Sequence, residues 1–170
     1  GQLTTLNIIF ADDNCKTHPS LSTSIDGHQT LTVVLTKRSQ SKLINESLQA
    51  SAVKKQIEKY FKAQAQAIIL PKVTYYAQLT GLTPNAINIR RYRARWGSCN
   101  SRHELSFNYL LMMLPLAVID YVIVHELCHI THLNHSSHFW QLVASFYPNY
   151  HQEKQWIKEN QSALLWRDPV

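Results

Sequence analysis

The sequence predicts an α+β fold, with strands concentrated early and helices late. Three observations carry that reading. Short β-rich stretches fill the first forty residues, a long tract near 46–80 keeps apolar residues at helix spacing, and the last third is a succession of helix patterns. The most apolar of these patterns, LAVIDYVIVHELCHITHL, is also crowded with histidines.

Taken in order, LNIIF (6–10) and STSIDGHQTLTVVLT (22–36) read as strands, with Asp26-Gly27 as a hairpin turn. In the long helical tract, roughly 46–80, Ile57, Phe61, Ala65 and Ile68 recur at helix spacing. Pro71 is expected to kink or divide that helix and Gly81 to end it. NAINIRRYRARW (85–96) alternates like a strand, and ELSFNYL (104–110) follows a short turn containing Gly97, Ser98 and Cys99, so the two are expected to pair as an antiparallel hairpin. Asn108 is placed to cap a short helix over 109–113, and Pro115 suits the first turn of the apolar helix after it. That helix is apolar nearly all round, as a central buried helix is. Ser136 or Ser137 caps the next helix, HFWQLVASF, and a last helix covers roughly 150–165.

With 170 residues, 45% of them hydrophobic, the chain suffices for one domain with a sizeable core, expected over 1–170. Its N-terminal strands occupy about 1–40 and its helical core about 46–165. No apolar run reaches the roughly 18 uncharged residues of a membrane span. The first residue is Gly1 and not a methionine, so a leader removed before that point stays open. Cys15, Cys99 and Cys128 are odd in number and widely spaced, which argues against a disulfide framework and for a reducing, cytoplasmic setting. A net charge of +6, with Arg90, Arg91, Arg93, Arg95 and Arg102 close together, admits anionic partners such as nucleotides or nucleic acid.

His125 and His129, four residues apart, project about 40° from each other on a helix, so both imidazoles reach one cation. Glu126, about 100° further round, stands beside that cation. This is the H-E-x-x-H arrangement, with the glutamate as base and the metal, usually zinc, activating water. The bland alternative is a helix with two hydrogen-bonded core histidines and an ion-paired Glu126, which the cost of burying an unpaired carboxylate disfavours. Zinc needs a third protein ligand. The +4/+10 spacing favours His135, with His132, His138, Glu153 and Glu159 as the other candidates. Cys128, a soft donor beside His129, lies about 60° round the helix from His125 and reads as a small packed residue.

The segment 92–140 resembles the YgjP-like metallohydrolase domain. The matching pieces are RWGSC (95–99), FN (107–108), P…IDYVIVHELCH (115–129) and NHSSHFW (134–140), in the same order and spacing. The resemblance implies His125, His129 and His135 as ligands and Glu126 as base. It relates the chain to SprT-like proteases and other minimal zincins. It also implies a thin zincin-like fold, a small and mostly antiparallel sheet packed on the active-site helix and supporting helices. Peptidase-like and nucleotide-hydrolysing activities are both associated with the family.

The expected function is therefore a zinc-dependent, metallopeptidase-like hydrolase, with nickel, cobalt or manganese able to enter an imidazole site. The alternatives are a nucleoside triphosphate (pyro)phosphohydrolase on the same site and a metal-stabilised binding module without catalysis. A peptide would add as a strand to the sheet edge near ELSFN. A nucleotide would set its phosphates against Arg91, Arg93 and Arg95, which a strand would place on one face. Asp120 is expected to support a ligand or pair on the surface, and Trp140 to pack the helix after His135 onto the active-site helix. Tyr109, Tyr147 and Tyr150 are candidates to stabilise an oxyanion.

Overall fold

The computed structural model describes residues 4–11, 19–23, 29–36 and 46–160, and its elements are α+β, as the sequence predicts. The chain divides into two compact units, Gly1–Phe61 and Lys62–Val170.

The first unit holds β1 (Thr4–Ala11), β2 (Ser20–Thr23), β3 (Gln29–Thr36) and the start of α1 (Glu46–Thr80). Its sheet has the order β1-β3-β2, with β3 parallel to β1 and antiparallel to β2. Along β3, Val33 and Leu35 are buried while Thr32 and Val34, which alternate with them, are half-buried, the period of two that a pleated strand imposes. The expected Asp26-Gly27 turn lies outside the described residues. Thr23 does stand opposite Gln29 across the antiparallel pair that such a turn would close.

In the second unit α1 continues to Thr80 with Pro71 inside it, so the expected division does not occur. Ala65, Ile69 and Val73, each one turn from the next, are completely buried on both sides of the proline and hold the helix together. The buried position here is Ile69, not its neighbour Ile68, which is half-buried. Gly81 ends the helix as expected. At φ 73° it takes the left-handed conformation, and its N–H bonds to the Ala77 carbonyl at 2.9 Å.

The second sheet consists of β4 (Ala86–Arg90), β5 (Gly97–Cys99) and β6 (Glu104–Asn108) in the order β4-β6-β5. Here the structure corrects the sequence reading. The strand expected over 85–96 stops at Arg90, and it runs parallel to β6 instead of forming a hairpin with it. The antiparallel partner of β6 is β5, so Gly97, Ser98 and Cys99 are a strand and not a turn. Both sheets are thus mixed, where a mostly antiparallel one was expected. The cause is Asn108. Its side-chain amide donates to the carbonyls of Tyr92 and Arg95 at 3.0 and 3.1 Å, and its backbone N–H donates to Trp96 at 2.8 Å. Those bonds draw residues 92–96 to the end of β6, and the chain then returns along the far side of it. The turn back lies at Asn100–His103. There the Asn100 side-chain oxygen accepts from the N–H groups of Arg102 and Glu104, and His103 adopts φ 58°.

Asn108 also caps the 3-10 helix Tyr109–Met113, accepting from the Leu110 N–H at 3.2 Å. The helices α2 (Leu116–Cys128), α3 (Ser137–Phe146) and α4 (Tyr150–Asn160) follow. Pro115 is the N-cap of α2, and Ser136 caps α3 by accepting from the Phe139 N–H. Nine of the thirteen residues of α2 are buried, as its all-round apolar pattern predicts. Every residue of β6 from Leu105 to Asn108 is buried as well, so α2 and β6 form the centre of this unit. Among the described residues no helix is long and apolar enough to cross a membrane.

Candidate metal centre

His125, Glu126 and His129 lie at the C-terminal end of α2. The helix stops at Cys128, five residues short of the expected Leu133, and His129 is its C-cap. The exit is a tight turn, with the Ile130 N–H bonded to the Leu127 carbonyl and the N–H groups of Thr131 and His132 to that of Cys128. This turn returns the chain, and His135 meets the two helical histidines. The Nε2 atoms of His129 and His135 lie 3.2 and 3.0 Å from the Nε2 of His125. One ligand atom from each residue falls within 4.8 Å of the others, making a group able to hold one metal ion.

The chemistry of the donors fits that role. The Nδ1 of His129 lies 2.8 Å from the His132 carbonyl, which accepts only from a protonated Nδ1 and so leaves the Nε2 lone pair facing the other two rings. Burial, then the nearness of His129 and His135, pushes the His125 imidazole down to about 3, so it is neutral at ordinary pH. Burial also lowers His129 and His135. Three neutral imidazoles with converging lone pairs suit a cation. Aromatic rings hold them in place: Phe139 stacks on His129 with centroids 4.4 Å apart, and Trp140 stacks on His135 at 5.5 Å. Tyr150 stacks on Trp140 in turn, with the Lys154 ammonium 3.8 Å from the centre of that indole.

Glu126 is 6% exposed. Burial pushes its carboxyl up to about 8, against the opposing pull of Arg95. It fits only because residue 97 has no side chain: a β-carbon there would stand 2.6 Å from both Cγ and Oε1 of Glu126. Cys99, two residues along β5, shares that face, and burial followed by the Glu126 charge pushes its thiol up to about 11. Ser98 points to the other face, where its hydroxyl lies 2.6 Å from that of Tyr92.

These residues surround a cleft of about 420 Å³, lined by β5, Arg95, Trp96, Tyr121, Leu133 and the histidine group. β5 is an edge strand. Trp96 and Asn100 bond to Asn108 and Glu104 of the β6 segment, so Ser98 between them also turns its backbone groups inward. The N–H and C=O groups of Gly97 and Cys99 therefore point away from β6, along the free edge.

The remaining sequence candidates fall elsewhere. His132 contributes its backbone carbonyl, and its ring faces His138 at 6.3 Å, outside the metal-competent group. Glu153, Glu159 and Cys128 are outside the group too, with Glu159 accepting from Gln155. Of the three arginines expected on one strand face, only Arg95 lines the cleft, because the strand ends at Arg90. Arg95 lies over the Tyr92 ring at 5.5 Å. Asp120 pairs with Lys72 at 2.7 Å. Tyr109 is buried below Lys62, Tyr147 donates to the Ala117 carbonyl and Tyr150 stacks on Trp140, so none of them is at the cleft. The tyrosine that lines it is Tyr121, which sequence reasoning passed over, as it passed over the role of Gly97. A signal existed for the first: Tyr121 precedes His125 by one helical turn, the spacing at which side chains meet.

No curated protein matches the chain. Among solved structures, the metallopeptidase zymogen abylysin of Pyrococcus abyssi aligns with 17% identity and a TM-score of 0.48, over 54% of this chain and 93% of that one. The model of the YgjP-like metallopeptidase domain matches residues 18–160, and the chain belongs to that family.

Proposed function

We propose that the chain is a zinc-dependent hydrolase of the peptidase type, with His125, His129 and His135 as ligands and Glu126 as general base. The observation that carries this reading is the meeting of three imidazole Nε2 atoms beside a buried glutamate at the floor of one open cleft. Zinc bound there supplies a Lewis acid that makes water acidic enough to yield hydroxide near neutral pH.

The chain's own residues do the rest. Glu126, which a cation on the histidine group would hold in its ionised form, takes the proton of the attacking water and passes it to the leaving amine. A structural metal site needs no base in that place. An extended peptide lies along β5, its main chain bonding to the outward groups of Gly97 and Cys99, which holds the scissile carbonyl over the histidine group. The edge that receives it is β5 and not ELSFN, because β6 is central.

The nucleotide alternative keeps one supporting residue, Arg95, which lines the cleft and could meet a phosphate. The phosphate cradle expected from three arginines on one face has lost its strand, which tilts the reading to peptides. The test is incubation of the zinc-loaded protein with unfolded protein, with and without DNA, and with a panel of nucleoside triphosphates. Glu126→Gln serves as the blank. Peptide-bond cleavage that disappears in Glu126→Gln, with metal retained, is the expected result. Glu126-dependent phosphate or pyrophosphate release with the protein substrate intact overturns the peptidase reading.

A further inference from the structure

A histidine that offers Nε2 to a metal carries its proton on Nδ1, and that proton needs an acceptor. His129 has one in the His132 carbonyl. For His125 the neighbour is the Tyr121 hydroxyl, 3.5 Å from Nδ1 and one turn earlier on α2. If the hydroxyl oxygen accepts from Nδ1, the hydroxyl proton must go onward. Tyr121 is only 5% exposed, so bulk water is a poor destination.

An acceptor without a donor lies close by. Glu153, on α4, has a buried carboxylate oxygen, Oε2, that makes no hydrogen bond. Its other oxygen is 3.5 Å from the Tyr147 hydroxyl, whose proton has a nearer acceptor in the Ala117 carbonyl at 3.1 Å. The Tyr147 and Tyr121 rings lie 6.4 Å apart, and Glu153 is among the charges that push the Tyr121 phenol up, after burial, Glu126 and Tyr150. A buried acceptor oxygen left without a donor is costly, so its persistence needs a reason.

We propose that Glu153, Tyr121 and His125 form one hydrogen-bonded chain. The His125 Nδ1–H donates to the Tyr121 hydroxyl, which donates to the Glu153 carboxylate directly or across one water. Glu153 and Tyr121 are positioning residues: they fix the His125 tautomer and ring angle so that Nε2 faces the metal, and neither is a metal ligand. Glu153 thus serves the site without being a ligand. The chain rests on the reading of His125 as a ligand, and the test separates the two.

Zinc affinity is measured by chelator competition for the full-length protein and for His125→Ala, Tyr121→Phe, Glu153→Met, Glu153→Gln and the Tyr121→Phe/Glu153→Met double variant. Tyr121→Phe and Glu153→Met each weaken zinc about 10–100-fold. Glu153→Gln, which keeps an acceptor oxygen, recovers part of the loss. The double variant loses no more than the worse single, because both break the same chain. Proton–nitrogen NMR of the histidine rings of the zinc-loaded wild type supplies a readout independent of how the variants fold: the His125 Nδ1 proton is protected from exchange. A freely exchanging Nδ1 proton, or zinc affinity unchanged in Tyr121→Phe while His125→Ala abolishes binding, overturns the chain alone. Zinc retained in His125→Ala overturns the ligand reading beneath it.

Discussion

Gly97 and Glu126 are in contact across the space between β5 and α2, and a single added carbon on Gly97 would come within 2.6 Å of the Glu126 side chain at Cγ and Oε1. Cγ is held close to the helix backbone, so the side chain cannot swing clear by moving its end alone. Gly97→Ala is expected to displace the carboxylate while leaving the three histidines able to bind metal. The overpacking costs about 1–3 kcal/mol of stability. Hydrolysis and zinc content of the purified variant check this together: turnover should collapse with zinc retained. Wild-type turnover in Gly97→Ala would mean that the carboxylate position is not critical.

His135→Ala should reduce bound zinc to well below one per chain, because its Nε2 completes the group with His125 and His129. His132→Ala should leave zinc nearly unchanged, since what His132 gives to His129 is a backbone carbonyl that alanine also possesses. His138→Ala should do the same. Metal analysis after dialysis decides it, and zinc lost from His132→Ala but kept in His135→Ala would reverse the assignment.

The sequence showed His125, Glu126 and His129 together because a helix converts spacing into direction by fixed geometry. His135 could be argued only by analogy of spacing. Ile130, Thr131 and His132 continue the helix pattern past the point where the chain turns, so nothing local announced the stop at Cys128. The arginine strand failed for a related reason. Alternation persists through Trp96, but the bonds from Asn108, at least twelve residues away, pull the segment out of the sheet. Local patterns do not contain such long-range bonds. The contact of Gly97 with Glu126 also depends on tertiary packing, and the glycine alone read as a turn residue.

Asn108 holds three segments at once, capping the 3-10 helix and tying down the carbonyls of Tyr92 and Arg95. It is 3% exposed, so its partners would be left without substitutes. Asn108→Ala should cost about 2–4 kcal/mol in urea unfolding, from the lost cap and the unsatisfied carbonyls. Asn108→Asp keeps the capping oxygen but loses both donors. It should therefore be destabilised as well, with the loop that carries Arg95 more open to proteolysis than in wild type. Full stability in Asn108→Asp would show that the cap alone matters.

Removal of the metal exposes the electrostatic cost of the site. In the metal-free protein the Glu126 carboxyl titrates near 8 instead of its ordinary 4.5, because burial favours the protonated form. The folded state then binds this proton more tightly than the unfolded state, and its contribution to stability is lost as pH rises from about 4.5 to about 8. His125 acts in the opposite sense. Its imidazole titrates near 3 instead of 6.5, so the unfolded state takes up the proton first and stability is lost as pH falls below about 6.5. His129 and His135, lowered by burial as well, act in the same sense as His125, and all three histidines are kept in Glu126→Gln. Measured against Glu126→Gln, the chelator-treated wild type is therefore expected to lose up to about 2 kcal/mol of unfolding free energy between pH 6.5 and pH 8, at about 1.4 kcal/mol per pH unit until the midpoint is approached. Glu126→Gln, which cannot ionise at that position, carries the histidine contribution alone, so subtracting it isolates the carboxylate. Urea titrations of both proteins at the two pH values measure the difference directly. A decline of equal size in Glu126→Gln would assign the effect to another group and remove the case for a strongly basic carboxylate in the cleft.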